Sequence, residues 1–224
     1  MISICLASRK RPEPFKEMYL SAIVMADNPS DIEFIVYRDD DDETEYHKSE
    51  NIIYITGPRK NLVEMVNKCY KKASGDIFMH FCDDMVFKTA HWDTKAKKMF
   101  ETYSPDKILL LCPDNSDWNR WGFGTTFFLH KNWVDVLGYF LPPYLGEGTD
   151  RWLNDVALLA RRRLHDFDIT TNHRNIKDKV HEEKKRLCRK NRWNQRYDEF
   201  YDKRVEESEK LRKFIDENNH ILHS

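Results

Sequence analysis

Apolar residues in the first part of the chain follow two different periods. Short runs rich in Ile, Val, Phe and Leu predict buried strands at residues 3–7, 32–37, 52–55, 77–82, 108–112 and 125–129. Between these runs, apolar residues recur at the spacing of one helix face and predict helices at residues 15–23, 62–73, 92–103 and 134–137. Strands that alternate with helices in this way predict an α/β fold with a parallel sheet.

The later part of the chain is predicted to be mainly helical. Thr149 is expected to cap a helix that runs to about Leu164, with Trp152 on its apolar face. A charged amphipathic helix is predicted over residues 196–217. Gly75 is expected to end the second helix, because glycine is favoured just after a helix C-terminus.

Three of the predicted strands end in charged residues. Ser8–Arg11 follow the first strand, Asp39–Asp42 follow the second, and Asp83 and Asp84 follow the fourth. Ligands of open α/β sheets bind at the carboxyl ends of the strands, so these residues are expected to share one rim. Carboxylates hold Mg²⁺ or Mn²⁺ together with phosphate oxygens, and arginines bind phosphate directly. This combination favours transfer from a nucleoside diphosphate donor, in which a metal stabilises the leaving group.

Taken singly, each of these features has a simpler explanation. Paired aspartates and acidic loops are commonly solvated turns, and a single histidine more often has a structural role. Trp118, Trp121 and Trp152 are candidates to stack on a sugar or a base, but large aromatic residues more often belong to the core. The order of the segments along the chain therefore carries more information than any one of them.

That order resembles the GT-A glycosyltransferases, and specifically their family-2-like group. The resemblance covers about residues 2–180. Its parts, in chain order, are Ser8-Arg9-x-Arg11-Pro12, Asp39–Asp42, Gly57-Pro58-x-x-Asn61, Ala73–Asp76, Asp83-Asp84-Met85-Val86, Trp92-Asp93, Leu137–Phe140, Gly148–Trp152 and His173. It implies a mixed, mostly parallel central sheet flanked by helices, with a helical, basic C-terminal extension. The chain departs from the pattern at Cys82, where the aspartate-any-aspartate metal motif often has a carboxylate.

The resemblance also implies an activity and a set of site residues. The expected enzyme is an inverting transferase that uses a nucleotide-sugar donor, most simply a UDP-sugar, with Mn²⁺ or Mg²⁺. Asp84 is the expected metal ligand, with Asp83 and His173 beside it, and Asp150 is the expected general base, with Glu147 in reserve. The residues expected to contact the donor are Ser8, Arg9, Arg11, Asp39, Asp40, Arg59, Asn61 and Asp83.

Charge is distributed unevenly along the chain. The net charge is −1, yet residues 161–196 contain 13 Lys and Arg against 5 Asp and Glu. This basic segment predicts an anionic partner, and one such acceptor is a modified base in DNA, reached in a groove or by base flipping. A saccharide or lipid-linked acceptor is the first alternative. A nucleotidyltransferase and a non-enzymatic nucleic-acid-binding module are the others.

The domain organisation and the cellular location follow from the same residues. We expect a catalytic domain over residues 1–180, with a nucleotide-sugar-binding half (1–112) and an acceptor half (113–180), followed by a helical extension over residues 181–224. The sequence shows no secretory signal and no apolar run that could span a bilayer. Its five scattered cysteines indicate reduced thiols. A cytoplasmic location is therefore expected.

Overall fold

The computed structural model describes residues 1–103, 105–115, 123–146, 148–183, 186 and 200–219. Its strands are β1 (Ile2–Ala7), β2 (Ile32–Asp39), β3 (Ile52–Gly57), β4 (Ile77–His80), β5 (Met85–Phe87), β6 (Leu110–Asp114), β7 (Phe127–His130) and β8 (Arg163–His173). Its helices are α1 (Pro12–Val24), α2 (Leu62–Tyr70), α3 (Trp92–Thr102), α4 (Lys131–Leu137), α5 (Thr149–Leu159) and α6 (Tyr201–Asn219). No helix in these ranges combines the length and the apolar character that crossing a membrane requires.

The strands form one sheet in the order β3-β2-β1-β4-β7-β6-β8-β5. β1 pairs in parallel with β2 and β4, β2 pairs in parallel with β3, and β6 pairs in parallel with β8. β7 is antiparallel to both β4 and β6, and β5 is antiparallel to β8. The expected α/β fold with a mixed, mostly parallel sheet is therefore confirmed.

Apolar side chains form a hydrophobic cluster on each face of the sheet, because successive residues of a strand point to opposite faces. In β1, Ile4 and Leu6 belong to the cluster under α1 and α3. Cys5, between them, belongs to the cluster under α2, α4, α5 and α6. All three side chains are fully buried. Helices on both faces explain why β1 and most of β2 are mainly apolar rather than alternating.

Residues 163–173 form a strand, so the expectation of a helix that continues to about Leu164 is wrong. α5 ends at Leu159, and Arg161 has a left-handed backbone with a φ of 57°, which turns the chain into β8. β8 then pairs with β6 and, at its end, with the short strand β5. The hydrogen bonds of these two ladders decide the conformation of a segment whose own sequence is largely polar.

Two expected helix caps are also different in the structure. The N-cap of α5 is Gly148, with a φ of 73°, while Thr149 is the first helical residue and is buried. The C-cap of α2 is Lys71, so Gly75 does not end this helix. Gly75 is required for close packing instead, because a Cβ atom there would lie 2.7 Å from the backbone oxygen of Met1.

The C-terminal helix α6 packs into the main hydrophobic core. Leu211 is fully buried in the cluster that also contains α4 and α5. Beside it, Glu207 is 3% exposed and accepts a hydrogen bond from Trp152 Nε1 over 2.9 Å, as well as from the hydroxyl groups of Tyr139 and Tyr144. Trp152 therefore belongs to the core. The division of the chain into a catalytic domain and an extension stays a prediction.

Candidate functional site

A cavity of about 280 Å³ lies at the edge of the sheet where the parallel strands β1, β2 and β4 end. The carboxyl ends of neighbouring parallel strands meet at one edge, so the topology itself brings the segments after them together. The predicted site residues that line the cavity are Ser8, Arg9, Arg11, Asp39, Arg59, Asn61, Asp83, Asp84 and His173. Phe81 and the half-buried thiol of Cys82 complete the wall beside the two aspartates.

Asp83 is held by the loop that follows β1. Ser8 Oγ donates a hydrogen bond to Asp83 Oδ2 over 2.7 Å, and Arg11 Nη1 donates to Asp83 Oδ1 over 3.2 Å. Burial raises the pKa of Asp83 to about 6, although the charge of Arg11 and the hydrogen bond from Ser8 oppose the rise. Both carboxylate oxygens of Asp83 are thus engaged by neighbouring side chains.

Asp84 lies beside the antiparallel pair formed by β5 and β8. Met85 is opposite His173 in this pair, and Arg174 N donates to the backbone oxygen of Asp84 over 2.9 Å. As a result, His173 Nε2 is 3.3 Å from Asp84 Oδ1, while Arg11 Nη1 is 3.5 Å from Asp84 Oδ2. Burial acts to raise the pKa of Asp84, but the hydrogen bond from His173 and the nearby positive charges lower it below its ordinary value.

The carboxylate pair suits a hard divalent cation without forming a complete site for one. Mg²⁺ and Mn²⁺ prefer oxygen ligands and are commonly held by one or two carboxylates plus phosphate oxygens. Across the described ranges, no group of three or more His, Cys, Asp and Glu side chains is arranged to hold a metal ion. Arg11 Nη1 is 3.5 Å from Asp84 Oδ2 and 3.2 Å from Asp83 Oδ1, so its contact with Asp84 is the weaker of the two. The pair therefore fits a metal whose other ligands come from a bound phosphate group.

Two arginines flank Asp39 at the end of β2. Arg9 Nη1 donates to Asp39 Oδ2 over 2.9 Å, and Arg59 Nε is 3.7 Å from the same oxygen. Arg9 also forms a two-pronged ion pair with Asp41, and this hydrogen bonding lowers the pKa of Asp41 to about 2. Arg9 Nε is buried and has no hydrogen-bond partner among the described residues. Arg9 therefore has one buried N–H donor that the described residues leave unsatisfied.

Tyr46 and Asp42 brace the loop that follows β1. The Tyr46 hydroxyl is 3.1 Å from Ser8 Oγ and accepts a hydrogen bond from Arg11 N over 3.1 Å. Asp42 Oδ2 accepts from Lys10 N over 2.7 Å and from the Tyr46 hydroxyl over 3.3 Å. Sequence reasoning missed Tyr46, because it lies 35 and 38 residues from its partners and no local pattern marks it. Its contacts position Ser8 and Arg11 toward Asp83.

Asn61 caps a helix at the cavity, and Asp40 is an exposed residue beside it. Asn61 is the N-cap of α2: its Oδ1 accepts from Glu64 N over 2.9 Å, and its Nδ2 donates to the Glu64 side chain over 2.6 Å. Asn61 and Leu62 both line the cavity, so the N-terminus of α2 lies at its wall. Asp40 is exposed, its backbone N donates to the oxygen of Gly57, and it is not among the described residues that line the cavity.

Residues 174–183, which we call the strap, follow β8 and close one side of the cavity. Arg11 Nε and Nη2 each donate to the Asp178 carboxylate over 2.8 Å. Arg59 Nη1 donates to Glu183 Oε1 over 2.8 Å. Sequence reasoning missed both carboxylates, because they lie within a segment that is basic overall. The strap residues that line the cavity are Asn175, Val180 and His181.

Asp150 lies in the first turn of α5, where the helix dipole stabilises a carboxylate. Its Oδ1 accepts a hydrogen bond from Arg151 N over 2.8 Å, and it is not among the described residues that line the cavity. Its role as a general base stays a prediction. Other predicted residues lie outside the described ranges: Trp118, Trp121, Glu147 and, apart from Arg186, residues 184–196 of the basic segment.

Solved structures of other proteins share this fold. Mannosyltransferase PcManGT from Pyrobaculum calidifontis, in complex with GDP-Man and Mn²⁺, matches 84% of this chain with a TM-score of 0.64 and 13% identity. S. aureus TarS 1-349, in complex with UDP-GlcNAc, matches 79% of it with a TM-score of 0.58 and 14% identity. This chain spans 60% of the length of the first protein and 59% of the second.

At the level of sequence, no protein-family model and no curated protein matches the chain. At identities of 13 and 14%, these matches show a shared fold and do not show a shared activity. The mixed, mostly parallel sheet and the shared rim of the strand-end segments agree with the expectations drawn from the sequence. The chain therefore has the fold of the GT-A glycosyltransferases, as its sequence predicts.

Proposed function

We propose that this protein transfers a sugar from a nucleotide-sugar donor to an acceptor hydroxyl. The observation that carries the proposal is that Asp83 and Asp84 line one cavity together with Arg9, Arg11 and Arg59, at the carboxyl edge of a GT-A sheet. Carboxylates that suit a divalent metal and guanidinium groups that bind phosphate together match a metal-bound diphosphate. The complexes of PcManGT with GDP-Man and of TarS with UDP-GlcNAc support this choice of donor class.

In this proposal the donor is a UDP-sugar, and the loops after β1, β2 and β3 bind its nucleotide. Asp39, with Asp40 beside it, accepts hydrogen bonds from the base or the ribose. The diphosphate contacts Arg9, Arg11 and Arg59, whose charge-assisted hydrogen bonds are the strong ones for such a ligand. The supporting roles of Ser8 and Asn61 are to hold Asp83 and the start of α2.

Asp84 is the proposed main ligand of Mn²⁺ or Mg²⁺, with Asp83 and His173 beside it. The low pKa of Asp84 keeps its carboxylate ionised and available to a cation. When bound, the metal would supply a Lewis acid that stabilises the leaving diphosphate. His173, 3.3 Å from Asp84 Oδ1, orients that carboxylate.

Inversion at the anomeric carbon requires a base on the face of the sugar opposite the diphosphate, and Asp150 is assigned this role. Its carboxylate accepts the proton of the acceptor hydroxyl. The acceptor oxygen forms a bond to the anomeric carbon while the bond from that carbon to the diphosphate oxygen breaks. The first turn of α5 favours the ionised form of Asp150 before the reaction.

Hydrolysis of UDP- and GDP-sugars, with and without Mn²⁺, tests the donor and metal assignments. We expect Mn²⁺-dependent turnover of at least one donor by the wild type. Asp84→Asn is expected to lower it by about 100-fold or more, since even residues that only support a metal ligand cost on the order of 10- to 100-fold. Asp76→Asn is the matched control, because Asp76 pairs with Lys131 at the other end of β4.

The outcomes separate the assignments from each other. Equal turnover with and without Mn²⁺ in wild type and Asp84→Asn would contradict the metal assignment. If no nucleotide sugar is bound or turned over by any of the proteins, the transferase proposal itself fails. If Asp150→Asn transfers sugar as fast as the wild type, the base lies elsewhere.

A modified base in DNA is our proposed acceptor, on the strength of the basic segment at residues 161–196. Binding to a duplex that carries a hydroxymethylated base should weaken steeply as salt rises, because Lys and Arg release counterions from the phosphates. Incorporation of labelled sugar into that duplex, and not into an unmodified one, is the expected result. An affinity that does not change with salt, or equal labelling of simple saccharides, would favour the saccharide or lipid-linked alternative.

A further inference from the structure

Two of the arginines that line the cavity are already bound to carboxylates of the strap. Arg11 uses Nε and Nη2 in a two-pronged pair with Asp178, and Nη2 also reaches the Ile176 oxygen over 3.3 Å. Arg59 uses Nη1 in its bond to Glu183. The hydrogen bonds and charges of the arginines lower the pKa of both acids, so both are ionised at neutral pH.

The remaining donors of Arg11, on Nη1, face the two carboxylates of the cavity. Its Nη1 contacts Asp83 and Asp84, so the guanidinium group lies between three carboxylates, two of the cavity and one of the strap. A guanidinium group has five N–H donors, and those of Arg11 on the strap side are all in use. A diphosphate oxygen can therefore bind Arg11 on that side only after Asp178 has moved away.

The strap carboxylates are placed where exchange for a ligand costs little. The Asp178 and Glu183 side chains are 32% and 37% exposed, in contrast to Asp83 and Asp84, which are 9% exposed. Ion pairs with this much contact with water contribute little to stability, whereas buried pairs are costly to break. The Arg11 and Arg59 side chains are 11% and 32% exposed, and a polyanion such as diphosphate, with several charged oxygens, competes well for their guanidinium groups.

We infer that the strap is an internal competitor of the donor: Asp178 and Glu183 occupy the diphosphate-binding arginines, and the donor must displace them to bind. The inference rests on the proposed function, since it takes Arg11 and Arg59 as the diphosphate site. The strap begins at Arg174, whose N donates to the Asp84 backbone oxygen. The strap thus follows directly after the residue that lies beside Asp84, His173.

Neutral, isosteric variants of the two acids test the inference without removing local structure. Asp178 also caps the short helical turn of the strap, because its Oδ1 accepts from His181 N over 2.8 Å. Asp178→Asn keeps this cap, since asparagine is as good an N-cap as aspartate. Glu183→Gln changes a side chain with no such role in the contacts of the described residues. The control is Glu182→Gln, which removes the same charge from an exposed neighbour.

The measurement is the Kd of UDP and of inorganic pyrophosphate, by isothermal titration, for wild type, the single variants, the double variant and the control. We expect the double variant to bind both probes about three- to tenfold more tightly, because each partly exposed pair is worth a modest amount. The Kd of each single variant should lie between those of the wild type and the double variant. The Kd of Glu182→Gln should equal that of the wild type. Unchanged thermal unfolding of the single variants shows that the fold is intact.

Each other result has a defined meaning. Unchanged or weaker binding by the double variant, with clear UDP binding by the wild type, overturns the competition and leaves the proposed function standing. Equal tightening by Glu182→Gln also overturns it, because the effect is then one of general charge. Tighter pyrophosphate binding by the double variant, without any preference for UDP over pyrophosphate, supports the competition and contradicts the proposed function. No binding of either probe by any protein overturns both.

Discussion

Asp83 and Asp84 are adjacent in the chain, yet their carboxyl groups have opposite electrostatic surroundings. Asp83 is buried against Ser8 and Arg11, and burial dominates, so its pKa is raised to about 6. Asp84 faces His173, and the hydrogen bond and charges around it overcome burial, so its pKa is lowered. Of the two, Asp84 is the one that stays ionised over the whole neutral range. A carboxylate that is already deprotonated binds a cation without first losing a proton, which agrees with the proposal that Asp84 is the main metal ligand.

The raised pKa of Asp83 predicts a specific pH dependence of stability. A carboxyl group that binds its proton more tightly in the folded state stabilises the fold below about pH 4, and this contribution is lost as pH rises through about 6. Asp83→Asn removes the titration. In EDTA buffer, the wild type should therefore lose stability relative to Asp83→Asn as pH rises. The difference between their free energies of unfolding should change by on the order of 2 kcal/mol between about pH 4 and pH 7. Chemical unfolding across this pH range measures the difference.

For Asp76→Asn, the stability difference from the wild type is expected to change with pH in the opposite direction. The hydrogen bond from Lys131 lowers the pKa of Asp76, so its stabilisation is present above its unfolded pKa and is lost as pH falls. The free energy of unfolding of Asp76→Asn should therefore fall relative to that of the wild type as pH rises from about 3 to 6. A gap between Asp83→Asn and the wild type that does not vary with pH would show that Asp83 titrates normally.

At the scale of elements, the site depends on the pairing of β5 with β8. This short antiparallel ladder places His173 beside Asp84 and sends the strap back toward α1. The sequence predicts neither strand, because β5 has only 3 residues and β8 is polar. By contrast, it predicts β1, β2 and β3 to within two residues at each end. The apolar runs of β1 and β2 are buried under helices on both faces, whereas β3, at the edge of the sheet, is only partly buried.

Helix α6 permits a prediction at the same scale. Leu211 is fully buried against α4 and α5, so Leu211→Ala should lower the free energy of unfolding by about 2–5 kcal/mol, as cavity-forming substitutions do. Arg212→Ala, at the next, exposed position, should change it by less than about 0.5 kcal/mol. Urea unfolding of both proteins is the measurement. A cost below about 1 kcal/mol for Leu211→Ala, or a separate unfolding step, would mean that α6 folds as an independent extension.

At the scale of the whole molecule, the cavity joins segments that are far apart in the chain. The loop after β1, near residue 8, meets the strap near residue 178 through Arg11. A ligand that bridges these segments binds the folded state and not the unfolded chain, so its binding free energy adds to global stability. The proposed donor is such a ligand.

A thermal-shift panel of nucleotides tests this coupling. One nucleotide diphosphate with Mn²⁺, at about 100 times its Kd, should stabilise the protein by about 2.7 kcal/mol and raise Tm by roughly 5–10 °C. UDP is expected to act more strongly than GDP, and Mn²⁺ alone should have a smaller effect, since the described residues lack a three-ligand metal group. Equal shifts with every anion, sulfate included, would indicate binding by charge alone.

The sequence by itself determined the alternation of strands and helices and the residues that follow β1, β2 and β4. It could do so because burial leaves a local record, in the form of apolar runs and one-sided helix faces, and because the ends of parallel strands share one edge. The resemblance places His173 in the same site as Asp84. Only the tertiary structure decided that the two side chains are in contact, that Asp178 and Glu183 bind Arg11 and Arg59, and that β8 is a strand. These contacts join polar residues that are 89 to 167 positions apart, or depend on a ladder with a distant partner. A polar side chain carries no local sign of which distant group it will meet, since that is settled by where the packed core places the backbone.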